Sequence, residues 1–460
     1  MKLNDITSVY FVGAGGIGMS ALVRYFMAKG KQVAGYDRTA TELTHALESE
    51  GALLHYTEDV SLIPEWCRDA EHTLVIYTPA IPASHAELCY FQNHGFEIQK
   101  RAQVLGLITR SSKGLCVAGT HGKTTTSTMA AHLLHQSHVE CNAFLGGVSN
   151  NYKTNLLLSE HSPYTVIEAD EFDRSFHWLS PWMSVITATD ADHLDIYGTK
   201  EAYLESFNHY SSLIQPGGAL ILHEGLAMTP SVQPGVRVYS YARTSGDFHA
   251  ENIRIGGGEI RFDFVAPDTR ICDIQLGVPL SVNIENGVAA MALAHLSGAT
   301  DEEIKAAMAS FQGVVRRFDF KLKSPRCVLL SDYAHHPAEI AQSIKSLREL
   351  YEGRKITVIF QPHLYTRTRD FYPEFAESLS LADEVILTEI YPARELPIEG
   401  VSSNLIYDQL KPGVKRTLTT KAEVPNLIRK REDLDIVVIL GAGDLDNDVP
   451  QITEILRQRC

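Results

Sequence analysis

Long apolar runs are missing from this chain. Nowhere do enough uninterrupted hydrophobic residues occur to cross a bilayer, and the N-terminus lacks the charged-then-apolar pattern of a secretory signal. Membrane insertion is therefore not expected. Basic residues are outnumbered, 41 Lys and Arg against 56 Asp and Glu, and the net charge of −15 argues against nucleic acid or an anionic membrane as partner. Anionic substrates have to be met by local clusters of cations. Cysteine is sparse: the seven residues (Cys67, Cys89, Cys116, Cys141, Cys272, Cys327 and Cys460) are scattered and form no Cys-x-x-Cys. That spacing excludes a zinc knuckle and points to free thiols in a reducing cytoplasm. Internal repeats, heptads and low-complexity segments are absent as well. What is present is ordinary globular composition, 44% apolar and 21% charged, over 460 residues. That length exceeds one hydrophobic core and implies two or three domains.

The most informative stretch is Leu115–Thr126. A short apolar run enters Gly119-Thr120-His121-Gly122-Lys123-Thr124-Thr125, and a helical pattern follows from Thr128. Strand, glycine turn and helix in this order form a phosphate loop, whose backbone N–H groups and helix N-terminus attract phosphate. Lys123 is expected to reach the outer phosphates and Thr124 to hold Mg²⁺. Val117 stands where the standard pattern has its first glycine.

A second glycine loop lies upstream. The strand Val9–Val12 runs into Gly13-Ala14-Gly15-Gly16-Ile17-Gly18, a helix covers Met19–Ala28, and a second strand, Gln32–Tyr36, ends at Asp37. Alone, this is a dinucleotide fingerprint, so a NAD-dependent oxidoreductase is one hypothesis. The loop itself requires only a pyrophosphate, and a nucleotide sugar serves equally. The unit is also short, with its last strand expected near Thr73–Thr78 and a linker over Thr109–Lys113.

Beyond the phosphate loop, the strand Tyr164–Ile167 runs into Glu168-Ala169-Asp170-Glu171. The strand Met183–Thr187 leads likewise to Asp190-Ala191-Asp192-His193-Leu194-Asp195. Acids at the carboxyl edge of a parallel sheet hold a nucleotide-linked metal, whereas the same acids in isolation form a solvated turn. Residues 217–280 turn strand-rich, with a hairpin about Gly256-Gly257-Gly258, and a helix is expected from Asn283 to Leu296. From Arg316-Arg317-Phe318 a third α/β unit begins. Its strands at Cys327–Leu330, Ile356–Phe360, Glu384–Leu387 and Ile436–Leu440 alternate with helices, the order of a mostly parallel, doubly wound sheet. Polar clusters follow three of these strands: Asp332–Pro337, Gln361–Arg369 and Gly441–Asp444.

Seven segments in this order resemble the Mur ligase family: GAGGIGMS from Gly13, GTHGKTTT from Gly119, EADEFDRSF from Glu168, DHLD from Asp192, RRF from Arg316, DYAHHP from Asp332 and QPHLYTRT from Gln361. The glycine-rich start and Tyr333 favour its alanine-adding branch. The resemblance implies a three-domain α/β architecture: a Rossmann-like domain over 1–105, a central ATP-binding domain with a β-rich addition over 106–313, and a Rossmann-like C-terminal domain over 314–460. It implies an ATP-dependent ligase that joins L-alanine to UDP-N-acetylmuramate through an acyl phosphate, with Mg²⁺ or Mn²⁺, in cytoplasmic cell-wall precursor synthesis. A monomer or weak homodimer is expected. The sugar nucleotide would meet Gly15, Gly16, Ile17, Gly18, Asp37 and Arg101. ATP would meet Gly119–Thr125, Asn283, Asn286 and Asp332, and the metal would be held by Thr124, Glu168 and His193. Lys123, Glu168, His193, Arg317, His336 and Arg367 would carry the chemistry, with Tyr333, His336 and Arg367 at the substrates. The chain departs from the family pattern at Val282, where a histidine commonly precedes the two asparagines, at Leu364, where an arginine is common, and at Ala188 in place of an asparagine. The Leu364 departure shifts substrate contact onto Arg367. A recycling ligase that attaches a preformed murein peptide shares most of these motifs, and a non-catalytic nucleotide-binding regulator is a further reading.

Overall fold

The computed structural model describes residues 5–459 except Asp192 and Arg394, together with all but the side chains of Leu194 and Asp195. The chain divides into two compact units. One comprises the described residues up to Glu251 with Asp263–Cys272 and Glu285–Phe311; the other comprises Asn252–Phe262, Asp273–Ile284 and the chain from Gln312. Three strands, His249–Gly256, Glu259–Val265 and Arg270–Gln275, form a sheet of their own.

The first unit holds two sheets. One has the strand order Leu53–His55, Gln32–Tyr36, Ser8–Val12, Thr73–Tyr77, Glu97–Lys100, all parallel. Its central strand is buried along its whole length, the mark of a parallel sheet covered on both faces. The fifth strand, Glu97–Lys100, escapes the sequence reading because it is a short, polar edge with every residue only half-buried. The helix Arg101–Arg110 follows it directly, so only Ser111 and Ser112 separate that helix from the next strand, where a longer linker was expected. The other sheet is ordered Arg237–Tyr241, Ala219–His223, Pro181–Ile186, Lys113–Ala118, Tyr164–Glu168, Asn142–Phe144, Leu156–Leu157, antiparallel only at its last pair. Its centre places the strands before Gly119, before Ala169 and before Thr187 side by side, with Val117 opposite Glu168 and Ala118 opposite Ile186. Three predicted site segments thus leave one sheet edge together.

The second unit is built on six strands ordered Asp319–Lys323, Val328–Asp332, Ile436–Leu440, Ile356–Phe360, Glu384–Leu387, Lys415–Leu418, with only the first antiparallel. The central three are almost wholly apolar and buried. At the foot of Glu384–Leu387, the fully buried Glu384 carboxylate receives both Arg431 Nη atoms at 2.7 Å and Lys355 Nζ at 3.2 Å. Burial alone would raise this carboxyl, but the Arg431 and Lys355 contacts overcome it and hold it below its ordinary value. A depressed carboxyl contributes stability that is complete above the ordinary carboxylate value and lost as pH falls through the lowered one. Glu384→Ala is therefore expected to cost the second unit about 1.5–3 kcal/mol, the scale of a charged hydrogen bond, since Arg431 and Lys355 lose a buried carboxylate but keep Asp433. Urea unfolding from neutral pH downward should show the wild-type advantage over the variant shrinking in acid.

Among the described residues no helix is long and apolar enough to cross a membrane. Cys67, Cys89, Cys116, Cys141 and Cys272 are free thiols. Cys327 is disulfide-bonded, which departs from the expectation of free thiols throughout.

Candidate active site

The phosphate loop forms as its sequence dictates. The buried strand Lys113–Ala118 turns at Gly119, and Gly122, at φ +80°, opens the helix Lys123–His135. A Cβ at Gly122 would lie 2.7 Å from Asn286 Oδ1, so both backbone conformation and close approach demand glycine here. The helix begins without a side-chain cap and without an acid in its first turn, which leaves its positive end open to an anion. The loop is pinned to the neighbouring strand end: Thr120 N–H donates to Ala188 O at 3.0 Å, Thr120 Oγ1 to Asp190 O at 2.8 Å, and Thr187 Oγ1 to His121 O. His121 itself is exposed, while Thr124 is buried and Thr125 half-buried.

Lys123 Nζ is held at 2.7 Å by Gly119 O and at 2.8 Å by Glu171 Oε2. Glu171 was not singled out from sequence. Its side chain is 1% exposed, and burial raises its carboxyl while Lys123 opposes the rise. The only hint was its place in a run of acids after a strand. Glu168, three residues earlier, is the last residue of its strand beside the phosphate loop. His193 sits at φ +53° and opens the short helix Leu194–Tyr197 by accepting from Ile196 and Tyr197 N–H. The predicted neighbours Asp192 and the Asp195 side chain lie outside the described residues. Hydroxyl, carboxylate and imidazole from Thr124, Glu168 and His193 are a donor set that suits Mg²⁺ or Mn²⁺. Register and loop pairing bring all three segments to one edge.

Asn286 and Asn283 share the helix Val282–Leu296 but have different tasks. Asn286 Oδ1 accepts from Thr126 Oγ1 at 3.1 Å and so braces the phosphate-loop helix, whereas Asn283 Nδ2 donates to Val278 O at 3.2 Å. Val282 is exposed.

The upstream loop also ends in an uncapped helix start without first-turn acid, at Ile17–Ala28. Asp37 turns into this loop: its Oδ2 accepts from Gly15 N–H at 2.7 Å and its Oδ1 from Thr39 N–H at 3.1 Å. Arg101, at the head of its helix, lies so close to Gly18 that a Cβ there would be 2.6 Å from its Nη1. Gly16, Ile17, Gly18, Arg101, Glu168 and Asp170 line one cavity of about 250 Å³. The upstream glycine loop and the acidic strand end after Ile167 thereby share one wall.

In the second unit the predicted arginines differ. Arg317 is exposed, and Arg316 is the embedded one: its Nη2 donates to Gly441 O and Gly443 O at 3.0 and 3.1 Å, and its guanidinium lies over the Tyr333 ring at 5.0 Å. Asp332 accepts from Ser343 Oγ and from the N–H groups of Phe318 and Ala334, and burial pushes its carboxyl up. These contacts make it a local brace. His336 precedes Pro337 as the cap of the helix Pro337–Leu350, exposed and against the Phe371 ring at 5.1 Å. Arg367 Nη1 is buried and has no hydrogen-bond partner among the described residues. Leu364, which caps the helix carrying Arg367, has φ +71°, and Arg316 and Phe318 also have positive φ. Non-glycine residues in such conformations gather at functional sites. His335, passed over in the sequence reading, has a pKa lowered by burial, with the Arg367 charge adding to the effect.

Phosphate loops at parallel sheet edges, facing strand-end acids, define a nucleotide-binding α/β protein. The chain matches the Mur ligase family, catalytic domain, over residues 8–113, the Mur ligase middle domain over 117–294, and the Mur ligase, glutamate ligase domain, over 316–443. It belongs to the Mur ligase family. Over 459 residues it is 66% identical to UDP-N-acetylmuramate–L-alanine ligase of Phocaeicola vulgatus, covering 100% of both chains. It is 60% identical to the ligase of the same name in Parabacteroides distasonis, covering 99% of this chain and 98% of that one. Among solved structures, UDP-N-acetylmuramate-alanine ligase of Thermotoga maritima superposes with a TM-score of 0.80 at 27% identity, over 98% of each chain. A murein peptide ligase of Psychrobacter arcticus shares the fold, with a TM-score of 0.62 at 21% identity. The oxidoreductase reading of the first glycine loop falls with these matches.

Proposed function

We propose that the chain is an ATP-dependent ligase that forms the amide bond between L-alanine and the lactoyl carboxylate of UDP-N-acetylmuramate in the cytoplasm. The observation that carries this reading is the 66% identity, over the full length of both chains, to an enzyme of that name. The geometry supports it: one uncapped phosphate-binding helix start shares a cavity with the acidic strand end, and the strand leading to the second such helix start pairs with that acidic strand. The domains we assign are those expected from sequence, with the first passage moved to Ser111-Ser112, after the helix that crosses residue 105.

The substrate carboxylate attacks the γ-phosphate of ATP, the bond to ADP breaks, and the alanine amine then displaces phosphate from the acyl phosphate. Two anions must approach at the first step, so the chain contributes chiefly position and opposing charge. Lys123 neutralises the transferred phosphoryl group, and the open N-terminus of Lys123–His135 assists it. Thr124, Glu168 and His193 would hold Mg²⁺, which supplies further charge neutralisation when bound. Gly15 to Gly18 and Arg101 take the diphosphate of the sugar nucleotide. Arg367 offers its buried, unpartnered Nη1 to a phosphate or carboxylate oxygen. His336 and Tyr333 serve the amine and the acyl group.

The acceptor separates this enzyme from a murein-peptide recycling ligase. With ATP and UDP-N-acetylmuramate supplied, product mass should rise with L-alanine and not with a preformed tripeptide. The opposite preference would contradict the reading.

A further inference from the structure

Three successive acids of one loop hold cations from two parts of the first unit, the Lys100-Arg101 strand–helix junction and the start of the phosphate-loop helix at Lys123. Asp170 Oδ2 lies 3.6 Å from Arg101 Nη2, Glu171 Oε2 lies 2.8 Å from Lys123 Nζ, and Asp173 Oδ2 lies 2.8 Å from Lys100 Nζ. Arg101 lies against the sugar-nucleotide loop at Gly18, and Lys123 opens the ATP-loop helix. The acids therefore occupy the very cations that two phosphate-bearing ligands need. The backbone between them is locally constrained. Asp173 and Arg174 both have positive φ, Arg174 N–H donates to Glu171 O at 3.0 Å, and Tyr197 OH donates to the same oxygen at 2.5 Å.

From this arrangement we infer that Asp170–Asp173 is a counter-ion clasp that couples the two nucleotide sites. The inference rests on the proposed pair of ligands, ATP and UDP-N-acetylmuramate. In the ligand-free enzyme each phosphate must displace a carboxylate from its cation. When the diphosphate of the sugar nucleotide takes Arg101, the Asp170 carboxylate loses its cation, and its uncompensated charge disfavours the neighbouring ionised Glu171 and so weakens the hold of Glu171 on Lys123. ATP then meets a Lys123 with a weakened competitor. By linkage the effect is reciprocal: ATP drawn to Lys123 eases release of Arg101. Glu171 and Asp170 act through the cations and are positioning residues. Lys100–Asp173 remains as the fixed end of the loop.

Calorimetric titration with a non-hydrolysable ATP analogue and with UDP-N-acetylmuramate, each alone and each in the presence of the other, tests this in the whole enzyme with Mg²⁺. In the wild type each ligand is expected to tighten the other about tenfold, within the usual range of coupling between sites. Glu171→Gln should bind the analogue alone about as tightly as the sugar-nucleotide-saturated wild type, with the mutual effect abolished. Asp170→Asn should do the same for the sugar nucleotide. A merely structural role would weaken single affinities and leave the coupling factor intact. Coupling retained in both variants, or absent from the wild type while both ligands bind, overturns the clasp alone. Failure of either ligand to bind the wild type would overturn the proposed function and the clasp with it.

Discussion

Lys123→Ala is expected to lower turnover by about a thousandfold or more, the scale seen when a preorganised transition-state charge is removed. The ammonium is fixed by Gly119 O and Glu171 rather than drifting in solvent, so its position is set before nucleotide arrives. Its loss also strands the buried Glu171 carboxylate, and removing one partner of a buried pair commonly costs about 3–5 kcal/mol. Lost activity in the single variant would thus be ambiguous between chemistry and folding. The double variant Lys123→Ala with Glu171→Gln separates them: a urea midpoint near that of the wild type is expected, with turnover still lost. A double variant that turns over at the wild-type rate would remove Lys123 from the reaction.

Arg367→Ala is expected to reduce kcat/KM by about a hundredfold to a thousandfold, comparable to removing one charged donor from an active site. A buried guanidinium nitrogen without an acceptor is costly in a finished fold and is tolerated where a ligand supplies the missing partner. The positive φ of Leu364 at the head of the same helix is a second cost located at the same place. Arg367→Lys should recover little, because an ammonium cannot reproduce the planar fork. Steady-state kinetics on both variants, with urea unfolding as the control, would check this. Full recovery by lysine would assign Arg367 a purely electrostatic role.

Much of this was legible in the sequence because glycines and apolar runs announce themselves. The central strands of all three large sheets are mostly apolar and buried, and both phosphate loops follow from glycines placed between a strand and a helix. Among the strands that escaped, Glu97–Lys100, Asp319–Lys323 and Lys415–Leu418 lie at sheet edges, where polar residues are favoured and the apolar pattern is diluted, whereas Asn142–Phe144 is an interior strand too short, at three residues, to show a pattern. Side-chain partnerships were the harder part. Nothing in the spacing of RRF tells which arginine is embedded, and the structure chooses Arg316 because a positive φ aims it at Gly441 and Gly443. Glu171 and His335 were named only as members of polar runs, because a carboxylate or an imidazole there looks solvated until burial is known. Asp332 and Asn286 stood out in motifs, yet the structure binds them to Ser343 and Thr126.

The central claim is that phosphoryl transfer here serves amide formation. ADP release, measured with ATP present while UDP-N-acetylmuramate and L-alanine are omitted singly and then combined, tests it most directly. Sustained release only when both are present, with one ADP for each amide formed, is the predicted result. Equal release without the sugar nucleotide, or ADP formed with no amide, would contradict it.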